Sequence, residues 1–296
     1  MRKRHSTDEP LLTETRRLLR QHGLYARKRL GQHFLICGEV LETITRAAEL
    51  TNSDIALEVG PGLGVLTKEL AKWAGWVIAV ELDDKLAEIL KESLKPFSNI
   101  SIVNKDILKV EPTSLLGELT FPATITDRRA YKLVANLPYY ITAPVLRHFL
   151  EAALKPQIIV LTIQKEVAEA IVAEPGDMRL LSVSVQFYGK PEIICSVPAR
   201  CFHPAPEVDS AVLRVTPYAS PVADVTDVKG FFNLVKAGFC TPRKQLANSL
   251  AQGLQVPKAE VQSLLERADI EPERRAETMS VADWARLWQV YSRAGT

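Results

Sequence analysis

The chain has 296 residues, of which 47% are hydrophobic and 24% charged, as in a globular protein large enough for two domains. No apolar run approaches the eighteen or so residues that span a bilayer, and the charged N-terminus shows no secretory signal. The net charge of +2 is uneven: residues 1–30 carry +6, residues 229–296 carry +3, and the middle carries −7. Basic ends around an acidic middle favour a polyanion bound at two places, although a basic tail beside a solvated helical domain has the same pattern.

The first 26 residues are interpreted as a basic N-terminal extension. A helical pattern runs through Leu11, Leu12, Thr15, Leu18 and Leu19, and we expect it to be an appendage rather than part of a core. The four cysteines follow no metal-binding or redox spacing, so we expect buried free thiols and no metal.

From residue 55 onward, short apolar runs alternate with amphipathic helices. The predicted strands are Ile55–Val59, Trp76–Val80, Ile100–Val103, Tyr131–Ala135 and Ile158–Thr162. The helix after the first strand is expected to bury Leu66, Leu70 and Trp73. This alternation predicts an α/β fold with a parallel sheet that is covered on both faces.

The later segments differ in character. Residues 180–188 fit a strand or a helix, and two runs, Ile193–Val197 and Ala211–Val215, predict a hairpin at the sheet edge around a proline-rich loop. We therefore expect a catalytic domain over residues 27–217, a linker over 218–228 and an all-helical domain over 229–296. The last helix opens with a capping-box pattern at Ser280–Asp283 and is expected to bury Trp284, Trp288 and Tyr291.

A glycine-rich turn follows the first strand. It reads Glu58-Val59-Gly60-Pro61-Gly62-Leu63-Gly64, and its glycines allow a ligand to approach the backbone at the start of the next helix. The spacing differs from the Gly-x-Gly-x-x-Gly of dinucleotide-binding proteins. With an acid before the first glycine, it favours an adenosyl group with a cationic tail over a pyrophosphate.

Polar residues also end the next three strands. Glu81 is placed to bind both ribose hydroxyls, Asp106 to accept a hydrogen bond from an adenine amino group, and Asn136 lies where the fourth strand ends. Each acid taken singly fits a helix N-cap or a solvated loop. Their common position at the carboxyl edge of one sheet indicates a ligand site.

The segment Asn136-Leu137-Pro138-Tyr139 suits an amino group on a planar base. The Asn136 side-chain carbonyl and the backbone carbonyl of Leu137 or Pro138 can accept hydrogen bonds from one NH2, and the Tyr139 ring can stack on the base. Taken alone, the same four residues fit a strand that stops at a proline.

With these segments together, the chain from about Arg27 onward resembles the bacterial small-subunit ribosomal RNA adenine dimethyltransferases, the family whose loss gives kasugamycin resistance. The resemblance lies in Leu30–Leu35, Glu58–Gly64, Glu81, Asp106, Asn136–Tyr139, Phe202–Ser210 and Arg243–Leu250. It implies a Rossmann-like class I methyltransferase sheet with a smaller C-terminal all-helical domain, and S-adenosylmethionine as methyl donor. The expected acceptor is N6 of two adjacent adenosines in a hairpin near the 3′ end of 16S rRNA, in the small subunit or its precursor.

The resemblance also suggests roles for individual residues. His33 and Leu35 are expected to contact the cofactor, together with Gly60, Gly62, Glu81, Asp106 and Asn136. Phe202 is expected to offer the flipped adenine a second aromatic face after Tyr139. The expected phosphate contacts are Arg27, Lys28 and Arg29 near the N-terminus, and Arg243, Lys244, Arg274 and Arg275 near the C-terminus.

We expect a cytoplasmic monomer with a role in subunit biogenesis, with no metal and no membrane. Three rivals remain open. The first is a large-subunit RNA adenine methyltransferase of the macrolide-resistance type, and the second is a DNA adenine methyltransferase, whose segment carries Asp/Asn-Pro-Pro-Tyr. The third is a non-catalytic assembly or transcription factor on the same fold.

Overall fold

The computed structural model describes residues 8–24, 32–221 and 225–294. Its main sheet has seven strands in the order β4-β3-β2-β5-β6-β9-β7, and a small second sheet pairs β1 with β8. The strands are β1 (Phe34–Leu35), β2 (Ile55–Val59), β3 (Trp76–Glu81), β4 (Ile100–Asn104), β5 (Tyr131–Asn136), β6 (Ile159–Gln164), β7 (Gly189–Val197), β8 (Phe202–His203) and β9 (Ser210–Pro217).

The helices cover the chain between these strands and beyond them. They are α1 (Asp8–Gln21), α2 (Gly38–Ala47), α3 (Val65–Leu70), α4 (Asp84–Ser93), α5 (Pro112–Gly117), α6 (Thr142–Glu151), α7 (Lys165–Val172), α8 (Leu180–Gln186), α9 (Val228–Gly238), α10 (Leu246–Leu254), α11 (Lys258–Arg267) and α12 (Val281–Ala294). Among the described residues, no helix combines the length and apolar character needed to span a membrane.

Strands β2 to β6 are mutually parallel, and β9 runs antiparallel to β6. All five residues of β2 are buried, as expected for a central parallel strand that is covered on both faces. The predicted α/β fold and the hairpin at the sheet edge are confirmed. The chain goes from β2 to β3 and β4 on one side and to β5 and β6 on the other, so the order reverses between β2 and β5. Ligands of open parallel sheets bind outside the carboxyl ends of the strands at such a switch point.

Two details of the predicted elements change. The Trp73 side chain is 55% exposed rather than buried, because α3 already ends at Leu70 and Trp73 no longer follows its buried face. The ambiguous segment 180–188 forms α8, whose N-terminal turn is closed by a hydrogen bond from the Arg179 N–H to the Ser182 hydroxyl.

The interpretation of the N-terminal segment as an appendage is wrong for α1. Leu18 and Leu19 are 6% and 9% exposed and pack with Leu63 and Leu86 in one buried cluster. The apolar spacing was visible in the sequence, whereas the surface that receives the helix lies about 45 residues and more further along the chain.

The chain divides into two compact units. One comprises residues 1–168 and 192–217, and the other comprises 169–191 and 218–296, so the boundary differs from the expected 27–217 and 229–296. Residues 169–191 belong to the helical unit because their aromatic residues pack there: the ring centroids of Phe187 and Phe231 are 4.9 Å apart. Of the expected linker 218–228, residues 222–224 lie outside the described part.

The helical unit contains the predicted capping box. The Ser280 N–H donates to the Asp283 carboxylate and the Asp283 N–H donates to the Ser280 hydroxyl, both at 3.0 Å. Trp284 and Trp288 are buried as predicted, and Tyr291 is half-buried. The cysteines are free thiols, of which two are buried, whereas Cys195 is half-buried and Cys240 is exposed.

Candidate active site

The turn after β2 exposes its backbone to a cavity. Gly60, Gly62 and Gly64 have φ values of +66°, +59° and +78°, which residues with a Cβ rarely adopt. A Cβ added at Gly62 would also lie 3.1 Å from the Phe34 ring. Glycine is therefore required at Gly62 by both conformation and space, and the turn leaves backbone N–H groups accessible.

Glu81 ends β3 and holds this turn. Its carboxylate accepts hydrogen bonds from the N–H groups of Gly62 at 3.2 Å and Asp83 at 3.0 Å. Burial raises the pKa of Glu81, while these backbone hydrogen bonds lower it. Glu81 thus presents a largely buried carboxyl group at the carboxyl edge of the sheet, where a ribose binder was expected.

Glu58 lies one strand away and is almost fully buried. Burial raises the pKa of its carboxyl group to about 8; the nearby Thr67 hydroxyl opposes this rise and the charge of Glu81 adds to it. Glu58 is one of the residues that line the cavity, and its Oε2 atom has no hydrogen-bond partner among the described residues. A buried carboxyl oxygen without a partner beside a cavity suits a ligand with a cationic group.

Asn136 is oriented by a residue 103 positions earlier in the chain. Its side-chain Nδ2 donates to the backbone carbonyl of His33 at 3.0 Å. Because a carbonyl can only accept a hydrogen bond, the amide atom that faces it must be the amino nitrogen. The other amide atom, Oδ1, can then serve as the acceptor for a ligand. The His33 ring is fixed in turn, since its Nδ1 lies 2.7 Å from the Pro204 carbonyl and must carry the proton there.

Tyr139 follows in the same wall of the cavity. Its ring stacks on His33 with centroids 5.8 Å apart and planes 26° apart, and its hydroxyl lies 2.9 Å from the hydroxyl of Ser210. Burial raises the pKa of Tyr139; the Ser210 hydrogen bond opposes this rise and the charge of Asp209 adds to it. Sequence reasoning missed Ser210 and the position of His33 against Tyr139. Ser210 stood within the segment Phe202–Ser210 but nothing in the local pattern indicated its partner.

Phe202 and Leu35 are brought together by the small sheet, in which they form a paired position of β1 and β8. Both are 3% exposed and belong to the same hydrophobic cluster, and both also line the cavity. Phe202 is thus mainly a core residue here. Its expected stacking role stays a prediction.

Two adjoining cavities run along the carboxyl edge of the sheet. The first is lined by Asn136, Tyr139 and Glu58, among others. The second has a volume of about 730 Å³ and is lined in part by Asp106. Glu81 and Gly60 line both. Asp106 also caps the turn Ile107–Lys109 by accepting from the Leu108 N–H at 3.1 Å. The glycine turn and Glu81 therefore lie at the junction of one elongated, two-part site.

Comparison with known proteins identifies the family. The family model described as ribosomal RNA adenine dimethylase matches residues 23–293, nearly the whole chain. The chain belongs to this family. The predicted rRNA adenine dimethyltransferase activity is thereby confirmed, and the cofactor of the chain is S-adenosylmethionine.

Curated relatives of the dimethylase carry one name. The proteins named ribosomal RNA small subunit methyltransferase A from Dehalococcoides mccartyi and Pelotomaculum thermopropionicum are 52% and 41% identical to this chain. Each alignment covers 95% of this chain, with 94% of the first relative and 96% of the second.

Two solved structures share the class I methyltransferase fold of the dimethylase. A dimethyladenosine transferase from Plasmodium falciparum has a TM-score of 0.73 and 26% identity over 89% of this chain and 98% of its own. The 23S rRNA methyltransferase ErmE has a TM-score of 0.67 and 28% identity over 88% of this chain and 99% of its own.

The residues of the dimethylase site fit S-adenosylmethionine. The unpartnered Oε2 of Glu58 lies where a cationic tail could neutralise it, and the glycine turn leaves space that a side chain would fill. Within the described residues, no cluster of three or more His, Cys, Asp or Glu side chains has the arrangement of a metal site.

The expected RNA contacts of the dimethylase have different outcomes. Arg27, Lys28 and Arg29 lie outside the described residues. Arg243 and Lys244 are exposed in the loop between α9 and α10. The Arg274 guanidinium is bound to Thr278 and forms an ion pair with Asp283 at 3.3 Å, and its phosphate contact stays a prediction.

Proposed function

We propose that this protein dimethylates N6 of two adjacent adenosines in a hairpin near the 3′ end of 16S rRNA, with S-adenosylmethionine as donor. The substrate is the small ribosomal subunit or its precursor, and the modification contributes to subunit biogenesis. The observation that carries the proposal is the hydrogen bond from Asn136 to the His33 carbonyl, which uses the amino end of the amide and leaves its oxygen to act as an acceptor beside a cavity that Glu81 also lines.

We propose one order for the parts of the cofactor along the two-part site. Glu58 and the turn around Gly62 would hold the methionine end, Glu81 the ribose hydroxyls at the junction, and Asp106 the adenine in the larger cavity. His33 and Leu35 would close the methionine side. Bound there, S-adenosylmethionine supplies a methyl group that its positively charged sulfur already activates for transfer.

The target nitrogen is activated by its hydrogen-bond acceptors. The N6 lone pair of adenine is delocalised into the ring, and acceptors placed out of the ring plane would localise it on nitrogen. Asn136 Oδ1 is one such acceptor. The Pro138 carbonyl already accepts from the Ile141 N–H at 3.1 Å, so the Leu137 carbonyl is the better second acceptor. Pro138 fixes the bend that exposes it.

Aromatic contacts compensate for the unstacking of the flipped adenine. Extrusion from the RNA costs a few kcal/mol unless the base stacks again in the site. The Tyr139 ring is held from two directions, by His33 and by Ser210, and would form one face. Phe202 would form the other if its cavity-lining edge turns toward the base. Alignment of nitrogen, methyl and sulfur then supplies most of the rate enhancement.

Basic residues of both units would bind the RNA backbone. Arg243 and Lys244 are the exposed candidates in the helical unit, which we propose as the RNA-binding domain, and Arg27, Lys28 and Arg29 are the candidates near the N-terminus. We also propose that the protein acts in the cytoplasm, because bacterial ribosomal subunits assemble there. A monomer is part of the same proposal.

The test is methyl transfer from labelled S-adenosylmethionine to small subunits lacking the modification, to large subunits and to DNA, followed by nucleoside analysis. We expect dimethyladenosine in the small-subunit RNA alone. Label in large-subunit RNA would move the protein to the macrolide-resistance class. Cofactor binding without label in any acceptor would leave a non-catalytic assembly factor as the better account.

A further inference from the structure

Helix α1 has two chemically opposite faces. Thr15, Leu18 and Leu19 are buried, whereas Arg16, Arg17 and Arg20 are exposed. Successive residues of an α-helix are about 100° apart, so each set of three occupies an arc of roughly 100° and the two arcs point in opposite directions. The arginine face is defined here as Arg16, Arg17 and Arg20.

The buried face of α1 packs directly behind the catalytic cavity. Leu18 and Leu19 contact the cluster of Leu63 and Leu86, against which Phe34 also packs. The side chains of Phe34, Leu63 and Leu86 line the cavity that Asn136 also lines. Because a helix with its side chains is about 10 Å across, the arginine face lies roughly one helix diameter from the cavity wall.

An ion pair fixes the helix in this position. The Glu14 carboxylate binds the Lys68 ammonium at 2.7 Å, with both side chains partly buried. This pairing neutralises the acid that borders the arginine face. Glu9 lies on the same side of the helix about two turns before Arg16, and the Arg17 guanidinium donates to the neutral Gln21 amide at 3.1 Å. Among the residues that the structure describes, the positive charge of the arginine face is therefore largely uncompensated.

Arg16 of the arginine face also lies near strand β8. Burial lowers the pKa of His203 and the positive charge of Arg16 lowers it further. His203 lies between Phe202, which pairs with Leu35, and Pro204, whose carbonyl is 2.7 Å from Nδ1 of His33. The arginine face thus lies close to two elements that contribute side chains to the cavity wall, the cluster of Leu63 and Leu86 and the strand β8 with Phe202.

We propose that Arg16, Arg17 and Arg20 form a phosphate-binding face for the rRNA strand that carries the target adenosine. This inference rests on the function proposed above and assigns a role to a helix that lies before the first residue matched by the family model. Guanidinium groups bind phosphate oxygens bidentately, and a row of three on one rigid helix matches consecutive backbone charges. The contacts carry no base specificity; they position the strand.

The test uses the full-length triple variant R16Q/R17Q/R20Q and a matched control, K91Q/R128Q/R129Q. The control removes the same charge at exposed positions, two of them beside the amino end of β5, opposite the site. We expect the triple variant to raise KM for unmodified small subunits about tenfold and to reduce the slope of log KM against log salt by about two. The kcat value and the affinity for S-adenosylmethionine should match wild type, and the Arg→Lys triple variant should retain most of the affinity for subunits.

Several results would overturn the inference. One is a triple variant with the KM and salt slope of the control, while wild type methylates small subunits. Another is a loss of cofactor affinity in the triple variant, since that would make the arginines structural supports of the cavity. Weakened binding to intact subunits with unchanged binding to the isolated rRNA hairpin would assign the face to a ribosomal protein instead. Absence of transfer by wild type would overturn the proposed function itself.

Discussion

The hydroxyl groups of Tyr139 and Ser210 lie 2.9 Å apart although 71 residues separate them in the chain. Ser210 begins β9 and is fully buried, and Asp209 beside it accepts from the Ala199 N–H at 2.9 Å through its side chain. The Asp209 backbone carbonyl also accepts from the Lys165 N–H at 3.0 Å. The Tyr139 ring is thus tied to a rigid corner at the end of β6, which sets the plane against which an adenine would stack.

We predict that Tyr139→Phe and Ser210→Ala are not additive. Each change removes the same hydrogen bond, worth about 1 kcal/mol, and frees the ring to rotate. Each single variant should lower kcat/KM for unmodified small subunits by about fivefold, and the double variant should be little worse than either. Cofactor affinity, measured by calorimetry, should stay unchanged. Additive losses in the double variant would mean that the two hydroxyls act separately.

Asn136→Ala should abolish most transfer while leaving the cofactor bound. The substitution removes the acceptor for the N6 hydrogens, and loss of one preorganised hydrogen-bonding group in an active site lowers kcat by about 100-fold or more. It also frees the His33 carbonyl, so Asn136→Asp serves as the matched variant that keeps an acceptor and loses the donor. Single-turnover methyl transfer and calorimetry separate the two effects. Wild-type transfer by Asn136→Ala would exclude the amino-group clamp.

The strand ends were predictable from the sequence because the chemistry there is local. Glu58, Glu81, Asp106 and Asn136 each follow an apolar run, and parallel topology brings the ends of such runs to one edge. The alternation of strands and helices indicated the parallel sheet, whereas the order of its strands was not predicted. Family resemblance added the cofactor and the acceptor, which spacing alone left open.

The long-range contacts within the site could not be predicted, because they join segments that are far apart in the chain. The pairing of Leu35 with Phe202 and the bond from Asn136 to the His33 carbonyl have no local signature. The packing of α1 also lacks a local signature, because the spacing of its leucines indicates an apolar face but not the surface against which that face packs. Arg274 is a further example, because the sequence shows only a basic pair, whereas in the structure one member of that pair forms an ion pair with Asp283.

Substitution of Arg274 should therefore affect mainly stability, whereas substitution of Arg243 and Lys244 should affect mainly RNA binding. Arg274→Ala removes hydrogen bonds to Thr278 and an ion pair with Asp283, and should lower the free energy of unfolding by about 2 kcal/mol. The double variant R243Q/K244Q should keep wild-type stability and weaken subunit binding, most clearly at low salt. Urea denaturation and filter binding measure the two quantities. Equal stability of Arg274→Ala and wild type would favour a phosphate contact for Arg274 over a structural role.

Glu58 should make both stability and cofactor binding depend on pH. The folded protein holds its proton up to a pKa of about 8, whereas the ordinary value is 4.5, so the unfolded chain releases the proton first. The free energy of unfolding should consequently fall as pH rises between these values, and Glu58→Gln should flatten that dependence while Glu88→Gln, an exposed control, should not. A cationic ligand favours the ionised carboxylate, so S-adenosylmethionine should displace the proton and bind more tightly as pH approaches 8. Calorimetry in buffers of different ionisation enthalpy would register that released proton for wild type and not for Glu58→Gln; equal proton release by both proteins would remove Glu58 from the cofactor site.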